Sequence, residues 1–139
     1  MFSSRKMMLL LSAVGIAITA GCGTWVAVAY TPNPAAVSNA PEDFQRLVMT
    51  AKTWRPTKIE MHDTFATLTY IGANIPGGVQ TVTVPFKEIT KIEVLQKGEQ
   101  YILRATDAAG QKIYEYVSIN QKNAQDLADV FAALIGAKQ

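Results

Sequence analysis

A chain of 139 residues with one cysteine has room for a single domain and no internal disulfide. Its formal net charge of +2 traces to Arg5 and Lys6, the only charges before Glu42; beyond them 11 basic residues face 11 acidic ones. A body this close to neutral argues against a nucleic-acid binder, which needs a basic surface to displace counterions from phosphates, and against attachment to anionic lipid by charge alone.

The first six residues, MFSSRK, are short and basic, and "MMLLLSAVGIAI" (7–18) is apolar and uncharged. Small residues Thr19, Ala20 and Gly21 precede Cys22. A basic start, an apolar stretch of about 7–15 residues and a small-residue zone make a secretory signal. At T-A-G-C the segment resembles a bacterial lipoprotein precursor, with Ala20, Gly21 and Cys22 matching the lipobox and Thr19 standing where Leu is commonest. The resemblance implies cleavage before Cys22 and a diacylglyceryl group on its thiol. Acylation of the new amino terminus would make the anchor stable, since each buried methylene adds about 0.8 kcal/mol. Gly23 is not the aspartate that commonly retains such proteins at the inner membrane, so the resemblance favours the outer membrane in a Gram-negative cell.

Two other readings of the same run stay open. "GTWVAVAY" (23–30) extends the apolar character, so 7–30 is 24 uncharged residues, enough for a single-pass anchor, which needs about 20. Ala27-Val28-Ala29 is an A-x-A site whose cleavage would release a soluble exported product. All three place the body outside the cytoplasm. With cleavage at Cys22, the apolarity of Trp25, Val26, Val28 and Tyr30 calls for a membrane or partner contact, which makes these residues the candidate interaction element.

"TPNPAAVSNA" (31–40) reads as an extended tether. Residues 41–53 read as a helix: Phe44, Leu47, Val48 and Ala51 form one stripe, Pro41 suits the first turn, and Glu42 and Asp43 suit the positive end of the dipole. The period then drops to two. Strands are expected at 58–62 and 65–71 about a turn at Asp63-Thr64, and at 79–84, 92–95, 101–105 and 112–117, with loops or turns at 72–78, 96–99 and 107–110. Asn120 would cap a closing helix with Leu127, Val130, Phe131, Leu134 and Ile135 on one face.

The expected fold class is therefore α+β: an antiparallel meander of about six strands closed by a C-terminal helix, with one helix before the sheet. A curved sheet of this kind, with "VPFKEITKIEV" (84–94), is similar to PH-like and GRAM-like domains; the resemblance implies a PH-like sheet or partial barrel over about residues 57–135. The chain divides into a signal peptide (1–21), a lipid-anchored tether (22–40) and a PH-like domain (41–139).

Little in the body points to chemistry. His62 is the sole histidine, with Glu60 on its strand and Asp63 beside it, whereas a zinc site takes three or four ligands at set spacings. No G-x-S-x-G elbow supports a serine nucleophile, and an acylated Cys22 is a thioether. Ile75-Pro76-Gly77-Gly78 reads as a hairpin loop, lacking the Lys-Ser/Thr of a phosphate cradle. The basic cluster that phosphoinositide-binding PH domains carry on their first hairpin is not matched here. Tyr101, Tyr114, Tyr116 and Trp54 read as packing residues ahead of a partner surface. The expectation is a non-catalytic lipoprotein of the cell envelope, anchored at Cys22, with no cofactor, metal or small-molecule substrate, that binds or assembles with an envelope protein. A single-pass subunit of an envelope complex and a small exported enzyme using His62 and Asp63 are the alternatives.

Overall fold

The computed structural model describes residues 24–136. It is α+β, built from two antiparallel sheets, a helix before them and a helix after. Helix α1 (Ala40–Val48) starts where Asn39 and Glu42 bond reciprocally: Glu42 N–H donates to Asn39 Oδ1 (3.3 Å) and Asn39 Nδ2 donates to Glu42 Oε2 (3.1 Å). This satisfies an end donor, while Pro41 sits where its missing N–H costs nothing. Phe44, Leu47 and Val48 are buried. The helix stops well short of residue 53. Thr50 takes the Leu47 carbonyl with both its amide (2.9 Å) and its hydroxyl (2.6 Å), a local bond that competes with helix continuation. Lys52 N–H then donates to Val117 O at 2.7 Å.

Strands β2 (Lys58–Met61), β3 (Phe65–Ile71) and β4 (Val79–Pro85) form the first sheet in that order. In β3 the alternation buries Ala66, Leu68 and Tyr70. The β3–β4 connection turns at Gly77 (φ 77°) and Gly78 (φ 79°), in the left-handed region that only glycine enters cheaply, and Gly72 N–H closes it onto Gly78 O at 3.1 Å. This is the hairpin loop expected for the Pro-Gly-Gly stretch.

The meander breaks after β4. Pro85 has no N–H to extend a ladder, and a single 3-10 turn, Phe86–Glu88, carries the chain across to the second sheet while burying Phe86 completely. Strands β5 (Lys91–Lys97), β6 (Gln100–Thr106) and β7 (Lys112–Ser118) pair in sequence. A seventh strand, β1 (Val26–Ala27), joins the outer edge of β5, giving the order β1-β5-β6-β7. No closed barrel results: β4 and β7 come near each other but do not pair.

Helix α2 (Gln121–Gly136) is capped by Asn120, whose Oδ1 accepts from Asn123 N–H at 3.1 Å. It buries Leu127, Val130, Phe131 and Leu134, with Ile135 packed at the margin. Four rings from four elements meet beneath it. Phe131 lies 5.5 Å from Phe44, 6.2 Å from Phe86 and 5.8 Å from Tyr114, with the two phenylalanine contacts edge-on, the geometry aromatic quadrupoles favour. Phe131→Ala is expected to lower unfolding free energy by about 3–5 kcal/mol, a large share of the about 5–15 kcal/mol typical of a domain. Urea denaturation checks this; a loss below about 1 kcal/mol would mean that the ring cluster does not organise the core.

Candidate functional site

Cys22 lies outside the described residues. The candidate interaction element begins just after it and is folded into the domain. Val26 faces Gln96 and Ala27 faces Leu95 in the ladder, and Val28 N–H donates to Val94 O at 2.8 Å. Val28 and Tyr30 pack against the core, while the Trp25 ring sits 5.8 Å from Lys97 Nζ, within range of a cation–π contact. The apolarity of 25–30 therefore has an intramolecular account.

The residues expected to form an extended tether are docked too. Asp129, on α2 and only 7% exposed, accepts from the Tyr30 hydroxyl at 2.6 Å and from Asn33 N–H at 2.7 Å. Asn33 also caps the 3-10 turn Pro34–Ala36, which lies along α2. Proline and asparagine here build a turn rather than a loose spacer. Burial, followed by the bond to Asp129 and the negative charges of Asp129 and Asp126, raises the Tyr30 phenol well above its ordinary value. Sequence reasoning missed Asp129, because nothing in "DLADVFAAL" (126–134) distinguishes its buried carboxylate from that of Asp126.

The second feature is a cleft of about 390 Å³ between the facing edges of β4 and β7. Tyr70, Val82, Ile113 and Tyr114 supply its apolar lining, and Gln80 reaches in from the β4 side. Trp54 stands at the cleft, 62% exposed, its ring edge-on to Tyr70 at 5.2 Å. Its backbone holds φ at 57°, a left-handed conformation that costs a bulky L-residue about 1–2 kcal/mol. Lys112 and Glu115 add charge to its lining. Glu115 pairs with Arg104 (2.7 Å), its cross-strand partner, and with Lys112 (3.5 Å). Burial raises the Tyr70 and Tyr114 phenols, keeping both neutral. Such a surface can hold apolar or aromatic groups beside the Lys112–Glu115 ion pair.

The remaining candidates are scattered. His62 is exposed at the β2–β3 tip, stacked on Phe65 with ring centroids 4.4 Å apart. Glu60 faces Lys58 at 3.7 Å. Among the described residues no hydrogen bond joins the His62 side chain to Glu60 or Asp63, and no group of three His, Cys, Asp or Glu is placed to hold a metal. Tyr114 and Tyr116 are buried in the core, and Tyr116 Oη meets Thr50 Oγ1 at 2.7 Å. Tyr101 is half-buried and accepts from Gln96 Nε2 at 3.2 Å. The tyrosines pack, as expected; Trp54 packs against Tyr70 yet stays largely exposed.

A double-mutant cycle on Tyr30→Phe and Asp129→Ala, read by urea denaturation, is expected to give a coupling of about 1–2 kcal/mol; additive effects would contradict the bond. Because the Tyr30 phenol ionises more readily in the unfolded chain, its contribution is fully present below about pH 10 and declines above it. Tyr30→Phe should make that alkaline decline shallower. At the cleft, Trp54→Gly should be more stable than Trp54→Ala by about 1 kcal/mol, since both lose the ring and only glycine relieves the backbone; equal stabilities would show that no strain is stored there. No protein-family model, no curated protein and no solved structure matches the chain.

Proposed function

We propose that the chain is a non-catalytic lipoprotein of the bacterial cell envelope, anchored by acyl chains on Cys22, whose domain binds or assembles with another envelope protein. The observation that carries the anchoring is β1. Trp25 to Tyr30 are used by the domain: Val26–Ala27 pair with β5, and Val28 and Tyr30 pack on the core. A membrane span extending to Tyr30 would have to withdraw this strand from its sheet. Without these residues the uncharged run shortens to 7–24, 18 residues, at the low end of what spans a bilayer, where about 20 is usual. Signal cleavage after Ala29 would strip β1 from the sheet altogether. Cleavage before Cys22 keeps every described residue of the fold. Among the described residues no helix is long and apolar enough to cross a membrane.

The binding role rests on the cleft. An exposed tryptophan, held against Tyr70 beside an apolar opening, is the kind of anchor that dominates protein interfaces. The facing edges of β4 and β7, of which Val117 O is taken by Lys52 N–H, add backbone donors and acceptors that an extended segment of a partner protein could pair with. The three-plus-four strand arrangement under a closing helix supports the PH-like reading of the body, which by itself assigns no ligand. Gly23 after the cysteine favours the outer membrane where there is one.

The test is intact mass and detergent partitioning of wild type and Cys22→Ser, each expressed in bacteria with and without an inhibitor of the lipoprotein signal peptidase. A mature form that starts at Cys22 and carries acyl mass, absent from the variant and from inhibited cells, is the expected result. A full-length, unmodified, membrane-bound product in every arm would overturn the lipoprotein in favour of the single-pass subunit.

A further inference from the structure

We infer that one end of the domain, carrying Trp25, the β5–β6 turn and Ile119, lies flat against a bilayer surface. The inference rests on the membrane anchoring proposed above and adds the orientation of the domain and the face it presents to lipid.

The chain is fixed to the domain from Val26 onward by the β1–β5 ladder, the Val28–Val94 bond and the two bonds to Asp129. From Cys22 to Val26 there are four residue steps, which span at most about 14 Å fully extended. A domain of this size is about 30 Å across. It cannot stand off or tumble freely on so short a connection. Val26 pairs with Gln96 and Val28 bonds Val94, so the chain enters at the Lys97 end of β5 and runs away from it. The β5–β6 turn is therefore the end nearest the anchor.

The chemistry of that end suits a lipid surface. Lys52, Lys97, Glu99, Gln100 and Ile119 border one hollow there. Ile119 is 69% exposed, the most exposed large apolar side chain among the described residues. Trp25 stands over Lys97. Tryptophan prefers the headgroup level, and lysine can lay its stem on apolar surface while its ammonium reaches phosphate. Two lysines and one acid give this end a positive balance suited to anionic headgroups. An isoleucine in this position would otherwise be left facing water.

The test uses the full acylated chain purified from the membrane and reconstituted in vesicles of phosphatidylcholine and phosphatidylglycerol that carry a headgroup nitroxide. A fluorophore is placed on Ile119→Cys, on Glu99→Cys as a second near-end variant at an exposed turn, and on Ala108→Cys in the β6–β7 turn at the far end. The seven residues of β6 separate the two ends by about 20 Å. Wild type treated alongside reports any reactive Cys22 thiol. Severalfold stronger quenching at both near-end labels than at Ala108→Cys is expected. Protein that floats with the vesicles but is quenched equally at both ends would overturn the orientation and leave the anchoring intact. Protein that does not float would overturn both.

Discussion

A single buried carboxylate ties the two ends of this fold together. Asp129 sits on the last helix, and its two donors, the Tyr30 hydroxyl and the Asn33 amide, arrive from residues almost one hundred positions earlier. A carboxylate removed from water is costly unless it is hydrogen-bonded. Asp129 finds these partners only when residues 30–33 lie on α2. Docking of the N-terminal segment and burial of α2 are thus one event, and residues 30–33 belong to the fold.

The rest of the architecture follows from two further constraints. The rings of Phe44, Phe86, Tyr114 and Phe131 lock α1, the crossing turn, β7 and α2 around one centre. Phe86 can join them only because Pro85 and the following 3-10 turn end the first sheet and start the second. The same break leaves the outer edges of β4 and β7 facing each other across the cleft where Trp54 stands. Core packing on one side therefore leaves an open cleft on the other.

Much of this was legible in the chain. Alternation of apolar and polar residues marked β2 through β7 to within a residue or two, and the stripe from Leu127 to Ile135 marked α2, because these elements bury one face and period follows burial. The early end of α1 was not legible: Ala51 continues the apolar stripe and is buried, but it reaches the core from a turn set by Thr50. The split into two sheets had a local signal in Pro85, which pattern alone could not distinguish from a strand end. Asp129 and the cleft had none. Both arise from residues far apart in sequence, and a buried aspartate looks like a surface one until its donors are known. The docking of 30–36 was hidden for the same reason, since Thr-Pro-Asn-Pro has the composition of a linker.

The account stands or falls on whether the N-terminal segment is part of the folded unit. Native-state hydrogen exchange at the Val28 and Asn33 amides, compared with amides of β6, addresses this directly. The bonds to Val94 O and Asp129 Oδ1 predict that both amides exchange with protection approaching that of the central strand, opening only with the domain. Exchange at the rate of a free peptide at both positions, while β6 stays protected, would show that the segment is a loose tether and would contradict the account.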